Sequence, residues 1–103
     1  MGKIEALALA EKFSELVIAR FSPVKIILFG SFANDNWRDD SDIDIAVVLN
    51  KLKEDYLLTL NKLYKLRREV DTSIEPVLMI EGKDPSGFLE SIETYGTMLY
   101  PKS

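Results

Sequence analysis

Apolar residues recur at helical spacing near the start of the chain. Leu9, Phe13, Leu16 and Val17 fall on one side of a helix over residues 3–20, with Glu11, Lys12 and Glu15 on other faces. Ser22-Pro23 stops it. The pattern then shortens to a continuous apolar run, 24–29, which predicts a buried strand ended by Gly30-Ser31. Residues 31–36 fit one short helical turn, and 34–42 form a polar loop containing Trp37. A second strand over 42–49 alternates at first and then becomes wholly apolar, so its start is half exposed and its end buried. Asn50 is a plausible cap for a helix reaching Val70, with Leu52, Tyr56, Leu57, Leu60, Leu63 and Tyr64 on one face. Residues 73–80 predict a third strand, and Pro76 inside it demands an edge position or a bulge. Asp84-Pro85 opens a last helix to Tyr95, Gly96 ends it, and 97–100 add a short strand. The order is α-β-β-α-β-α in a single domain over 1–103, of α/β or α+β class, with one small sheet and its helices.

Composition narrows the chemistry. The 103 residues contain no cysteine and no histidine. Thiol nucleophiles, histidine general bases and Cys/His zinc sites are therefore excluded. A formal net charge of −4 argues against a nucleic acid as the main partner. No apolar run is long enough to predict a membrane span, and the opening residues lead into an amphipathic stretch rather than a signal-peptide block. The cytoplasm is the expected compartment, and a homo-oligomer is left open.

The chemistry that remains rests on carboxylates. Asp42 and Asp44 lie two apart in a strand, so both side chains point to one face while Ile43 and Ile45 point to the other. Paired carboxylates repel, and a hard divalent cation such as magnesium resolves the repulsion. Glu75 interrupts an otherwise apolar strand and joins the cluster if its strand lies beside that of Asp42. Three carboxylates suit two magnesium ions, one held with a triphosphate and the other activating a hydroxyl. Gly30 lets backbone approach a phosphate, the following turn supplies N–H groups, and Ser31 adds a hydroxyl.

Each signal has a plainer reading. Asp-x-Asp alone is most often a solvated strand start, Gly-Ser a simple turn, and Glu75 an exposed guard on an edge strand. Asp35, Asp39 and Asp40 suit loop solvation. Phe32 and Trp37 are either a lid over a base or an exposed partner patch. Lys62, Lys65, Arg67 and Arg68 either complement a helix dipole or attract phosphate.

Phe29-Gly30-Ser31, a ten-residue spacer and Ser41-Asp42-Ile43-Asp44-Ile45 together resemble the signature of the DNA polymerase beta-like nucleotidyltransferase superfamily. The small size is similar to the minimal nucleotidyltransferases within it. The resemblance implies the nucleotidyltransferase fold, a small mixed sheet with helices mainly on one face. It implies Asp42, Asp44 and Glu75 as catalytic magnesium ligands, and Gly30, Ser31 and Ser41 as contacts to ATP. Ser41 also has the plainer role of ordering the turn before the strand. Many relatives carry Ala-Arg-Gly where this chain has Ala33-Asn34-Asp35, with Arg38 as a candidate substitute. The implied reaction moves AMP from ATP to a hydroxyl, and the implied partner is a helical HEPN-type toxin for which this chain is the antitoxin. A non-catalytic module that binds nucleotide or neutralises a partner by docking is the alternative.

Overall fold

The computed structural model describes residues 1–102. The elements run α1 (Lys3–Phe21), β1 (Lys25–Phe29), β2 (Ile43–Leu49), α2 (Tyr56–Arg67), β3 (Ile74–Ile80), α3 (Phe88–Tyr95) and β4 (Thr97–Tyr100). The four strands form one mixed sheet in the order β3-β2-β1-β4. β1 is antiparallel to both β2 and β4, whereas β2 and β3 are parallel. A parallel neighbour needs a crossover, and α2 provides it.

Strand alternation divides the core in two. Ile26, Leu28, Ile43, Ile45, Val47, Ile74 and Leu78 pack with Phe13 and Val17 of α1 and with Leu63 and Leu66 of α2. The opposite parity, Ile27, Ala46 and Val48, packs with Leu89 and Ile92 of α3. Two helices thus cover one face fully, while α3 covers part of the other. Each large side chain buried in this way contributes about 1.5–3 kcal/mol relative to exposure.

Pro76 lies in β3, which pairs only with β2 and is therefore an edge, as its missing N–H requires. Other boundaries differ from expectation. Asn50 is exposed and caps nothing. Helix α2 starts at Tyr56, where the Asp55 carboxylate accepts the Leu58 N–H at 3.2 Å, and it ends at Arg67 rather than Val70. Leu57 consequently faces solvent. Pro85 precedes α3 instead of opening it, yet Asp84 still caps: its two oxygens accept from Leu89 N at 2.9 Å and Glu90 N at 3.0 Å. Among the described residues no helix is long and apolar enough to cross a membrane.

Gly96 joins α3 to β4 where no side chain fits. A Cβ there would lie 2.6 Å from Ile92 O, 2.7 Å from Ile27 Cγ2 and 2.8 Å from Leu28 O. Two of these atoms are backbone, so rotamer changes cannot relieve the overlap. Gly96→Ala is expected to cost about 1–3 kcal/mol, as overpacking does. Thermal unfolding followed by circular dichroism should show a melting temperature lower by about 5–15 °C. An unchanged melting temperature would show that α3 can move away from β1 freely.

Candidate active site

The strand registers assemble the candidate residues. Asp44 of β2 pairs with Phe29 of β1 on one side and with Glu75 of β3 on the other. Gly30 follows Phe29 directly, and Asp42 sits just before β2. Asp42 and Asp44 share the strand parity of Ala46 and Val48, so they point to the face that α3 only partly covers. Asp44 is half-buried and Asp42 exposed.

Gly30 has φ +76°, and a Cβ on it would overlap Asp44 Oδ2 and lie 3.2 Å from Asp44 Cγ. The end of β1 and the Asp44 carboxylate are therefore in contact only because residue 30 has no side chain. Residues 31–35 form the expected turn, closed by Asn34 N to Gly30 O at 3.0 Å and Asn36 N to Ser31 O at 3.1 Å. The N–H groups of Ser31, Phe32 and Ala33 donate to no acceptor among the described residues, which leaves them available to an anion.

The aspartate pair carries uncompensated charge. Neither Asp42 nor Asp44 has an ion-pair partner among the described residues. Burial pushes the Asp44 carboxyl above its usual range, and the charges of Asp42 and then Glu75 push it further. Oxygen donors with excess negative charge on one face fit a hard divalent cation, so Asp42 and Asp44 are suited to hold magnesium.

Glu75 stands differently. Its backbone lies opposite Asp44, but Tyr64 Oη donates to its Oε1, and Arg67 Nη1 lies 3.5 Å from its Oε2. Arg67 also donates to Ile74 O at 2.9 Å, and its guanidinium carbon lies 4.7 Å from the centre of the Tyr64 ring. At the sheet's edge nothing beyond β3 stops the Glu75 side chain from turning toward α2. Among the described residues no three carboxylates converge tightly enough to hold a metal ion together. Tyr64 appears in the sequence only as part of a helical face, and Arg67 as one of four basic residues; pairing them with Glu75 requires the α2–β3 packing.

This contact has a measurable consequence. Donation to Glu75 stabilises the protonated phenol and raises the Tyr64 pKa; burial and the carboxylate charge add to the rise, and Arg67 opposes it. Glu75→Gln removes the charge, so Tyr64 should ionise at lower pH in the variant than in the wild type. NMR titration of labelled tyrosines reads this directly. An identical Tyr64 titration in both proteins would mean that the contact does not form in solution.

Four further sequence candidates are placed plainly. Ser41 Oγ accepts the Arg38 N–H at 2.7 Å, so it orders the turn before β2. Phe32 is fully buried and stacks on Trp37 at 5.9 Å between ring centres, both against the α1 side of the core. They are neither a lid nor an exposed patch: they anchor the long loop. Lys62 pairs with Glu54.

Known proteins share this fold. The family described as polymerase beta, nucleotidyltransferase matches residues 11–103. The chain belongs to this family. A crystal structure of a Sulfolobus solfataricus protein, provisionally described as a nucleotidyltransferase, superposes with a TM-score of 0.68 at 25% identity, covering 93% of this chain and 80% of that one. No curated protein matches. The fold is thus the nucleotidyltransferase fold, and the corner formed by Gly30, Ser31, Asp42 and Asp44 lies within the matched segment of this nucleotidyltransferase domain.

Proposed function

We propose that this chain is a magnesium-dependent nucleotidyltransferase that moves AMP from ATP to a protein hydroxyl, acting in the cytoplasm as antitoxin to a helical HEPN-type toxin. The observation that carries the enzymatic part is the corner where Gly30, held at positive φ, meets the Asp44 carboxylate. A phosphate-binding turn and an acid pair without counterions share that corner. The net charge of −4 supports a protein rather than a polyanionic acceptor. The toxin partner and the choice of AMP rest on the likeness to minimal nucleotidyltransferases.

In this reading the Ser31–Ala33 N–H groups and the Ser31 hydroxyl bind the triphosphate, and Asp42 and Asp44 hold magnesium. Bound magnesium supplies charge neutralisation at the phosphates and lowers the pKa of a coordinated hydroxyl. The acceptor oxygen bonds to the α-phosphorus, the bond to pyrophosphate breaks, and pyrophosphate leaves. In this reading the hydroxyl proton passes to Glu75, once its carboxylate leaves Tyr64 Oη and turns toward Asp44, its neighbour across the strands. Beside Gly30-Ser31 stand Asn34 and Asp35, and Lys3 pairs with Asp35.

The engagement of Glu75 by Tyr64 and Arg67 favours a second reading, a nucleotide-binding module that neutralises its partner by docking. ATP labelled on its α-phosphate, magnesium and the helical partner distinguish the two. Transfer of label to the partner, lost in Asp42→Asn/Asp44→Asn, is the expected result. An unlabelled partner, neutralised equally by the wild type and the double variant, establishes docking instead.

A further inference from the structure

A cleft of about 390 Å³ opens beside the Gly30 corner, between the end of β1 and helix α3. Phe29, Gly30, Asn34, Phe88, Ser91 and Tyr95 are among the residues that line it. Its volume falls in the range of small-molecule sites. A second cleft of about 330 Å³ lies between α1 and α2, away from the aspartates, and the Arg20–Glu69 and Lys62–Glu54 pairs line it. Only the α3 cleft is continuous with the phosphate-binding turn, because Gly30 belongs to both.

The walls of the α3 cleft are unusual for a solvent-facing helix. Phe88 is 46% exposed and Tyr95 73% exposed, although α3 has Leu89 and Ile92 to bury. Phe88, Ser91 and Tyr95 follow at i, i+3 and i+7, so they form one stripe along the helix. Phe29 meets Phe88 edge to face at 5.8 Å, which fixes the Phe88 ring at the cleft. Two polar side chains complete the lining. The Asn34 carboxamide and the Ser91 hydroxyl make no hydrogen bond within the described residues, so their donors and acceptors face the cleft unused.

We propose that this cleft takes the nucleobase of the nucleoside triphosphate, stacked on the exposed rings of Phe88 and Tyr95, with its polar edge read by Asn34 and Ser91. The proposal rests on the reading of Gly30-Ser31 as the triphosphate site and adds where the rest of the nucleotide goes. Aromatic rings give stacking that every base can use, whereas a carboxamide pairs selectively with one edge pattern. Asn34 then acts as a specificity residue.

Calorimetric titration with magnesium-ATP and with magnesium-tripolyphosphate tests this, because the second probe has no base. The wild type is expected to bind ATP at least about tenfold more tightly than tripolyphosphate, the effect of one stacked base. Phe88→Ala/Tyr95→Ala should close that gap and leave tripolyphosphate binding unchanged. Tyr95→Ala alone, at the more exposed position, should narrow the gap even if the double variant folds poorly. Asn34→Ala should reduce discrimination between ATP and GTP. A gap that survives in both aromatic variants, or a wild type that binds the two probes equally, overturns the proposal while leaving the triphosphate reading intact. A wild type that binds neither probe overturns both.

Discussion

Asp44→Asn is expected to abolish nucleotide transfer and yet make the protein harder to unfold. The loss follows from removing one of the two oxygen-donor carboxylates proposed to hold magnesium. Changes in the surroundings of a metal ligand already cost about 10–100-fold, so loss of the ligand charge should exceed about a hundredfold. The gain follows from the unbalanced charge. Asp44 is half-buried, feels the charges of Asp42 and Glu75, and has no cationic partner among the described residues. Its folded-state pKa is raised, so the native protein holds that proton more tightly than the unfolded chain does. The wild type is therefore relatively most stable below the ordinary carboxylate pKa, and it loses that stability as pH rises through the raised folded value. At neutral pH the asparagine variant should gain on the order of 0.5–1 kcal/mol, or a few degrees in melting temperature. The advantage should fade on acidification. Magnesium should raise the melting temperature of the wild type and not that of the variant, since only the protein that binds an ion is stabilised by it. A variant less stable than the wild type at pH 7 without magnesium would show that the Asp44 charge is compensated after all.

Gly30→Ala should be damaging for two separable reasons. Its φ of +76° costs an alanine about 1–2 kcal/mol, and the new methyl group collides with the Asp44 carboxylate. Gly82 separates the two. It has φ +82° but nothing within 4 Å of where a Cβ would stand. Gly82→Ala should therefore show the backbone cost alone, with nucleotide binding intact. Gly30→Ala should lose at least as much stability and also lose binding of magnesium-ATP in calorimetry. Equal binding by the two variants would mean that Asp44 can turn aside without consequence.

The elements most legible in the sequence were those set by local chemistry. The apolar runs at 24–29 and 73–80 and the Asp-Ile-Asp-Ile alternation mark the first three strands within a residue. Pro76 found the edge, because a missing N–H can be tolerated there. Helix starts were harder. Asn50 and Asp55 are equally good caps by residue type, and the docking of α2 on β3 and α1, which buries Thr59, Leu63 and Leu66, favours the second. The loop aromatics are hard to read from sequence for a related reason. Phe32 and Trp37 sit among polar residues, yet a long excursion between antiparallel strands needs an anchor, and they supply it. The Gly30–Asp44 contact was legible as spacing. The attachment of Glu75 to Tyr64 and Arg67 was not, because it joins two elements across the sheet's edge and leaves no local pattern.

The alternation along β2 ties folding fidelity to chemistry. Ile43 and Ile45 lie in the α1–α2 core because Asp42 and Asp44 face the other way. A slip of one residue in this strand would exchange the two sets, putting carboxylates among Phe13, Leu63 and Leu66 and isoleucines beside Gly30. Such a chain could not close its core. The molecule therefore proofreads its own Gly30–Asp44 corner: a population that passes a stability check has, for the same reason, placed both aspartates correctly.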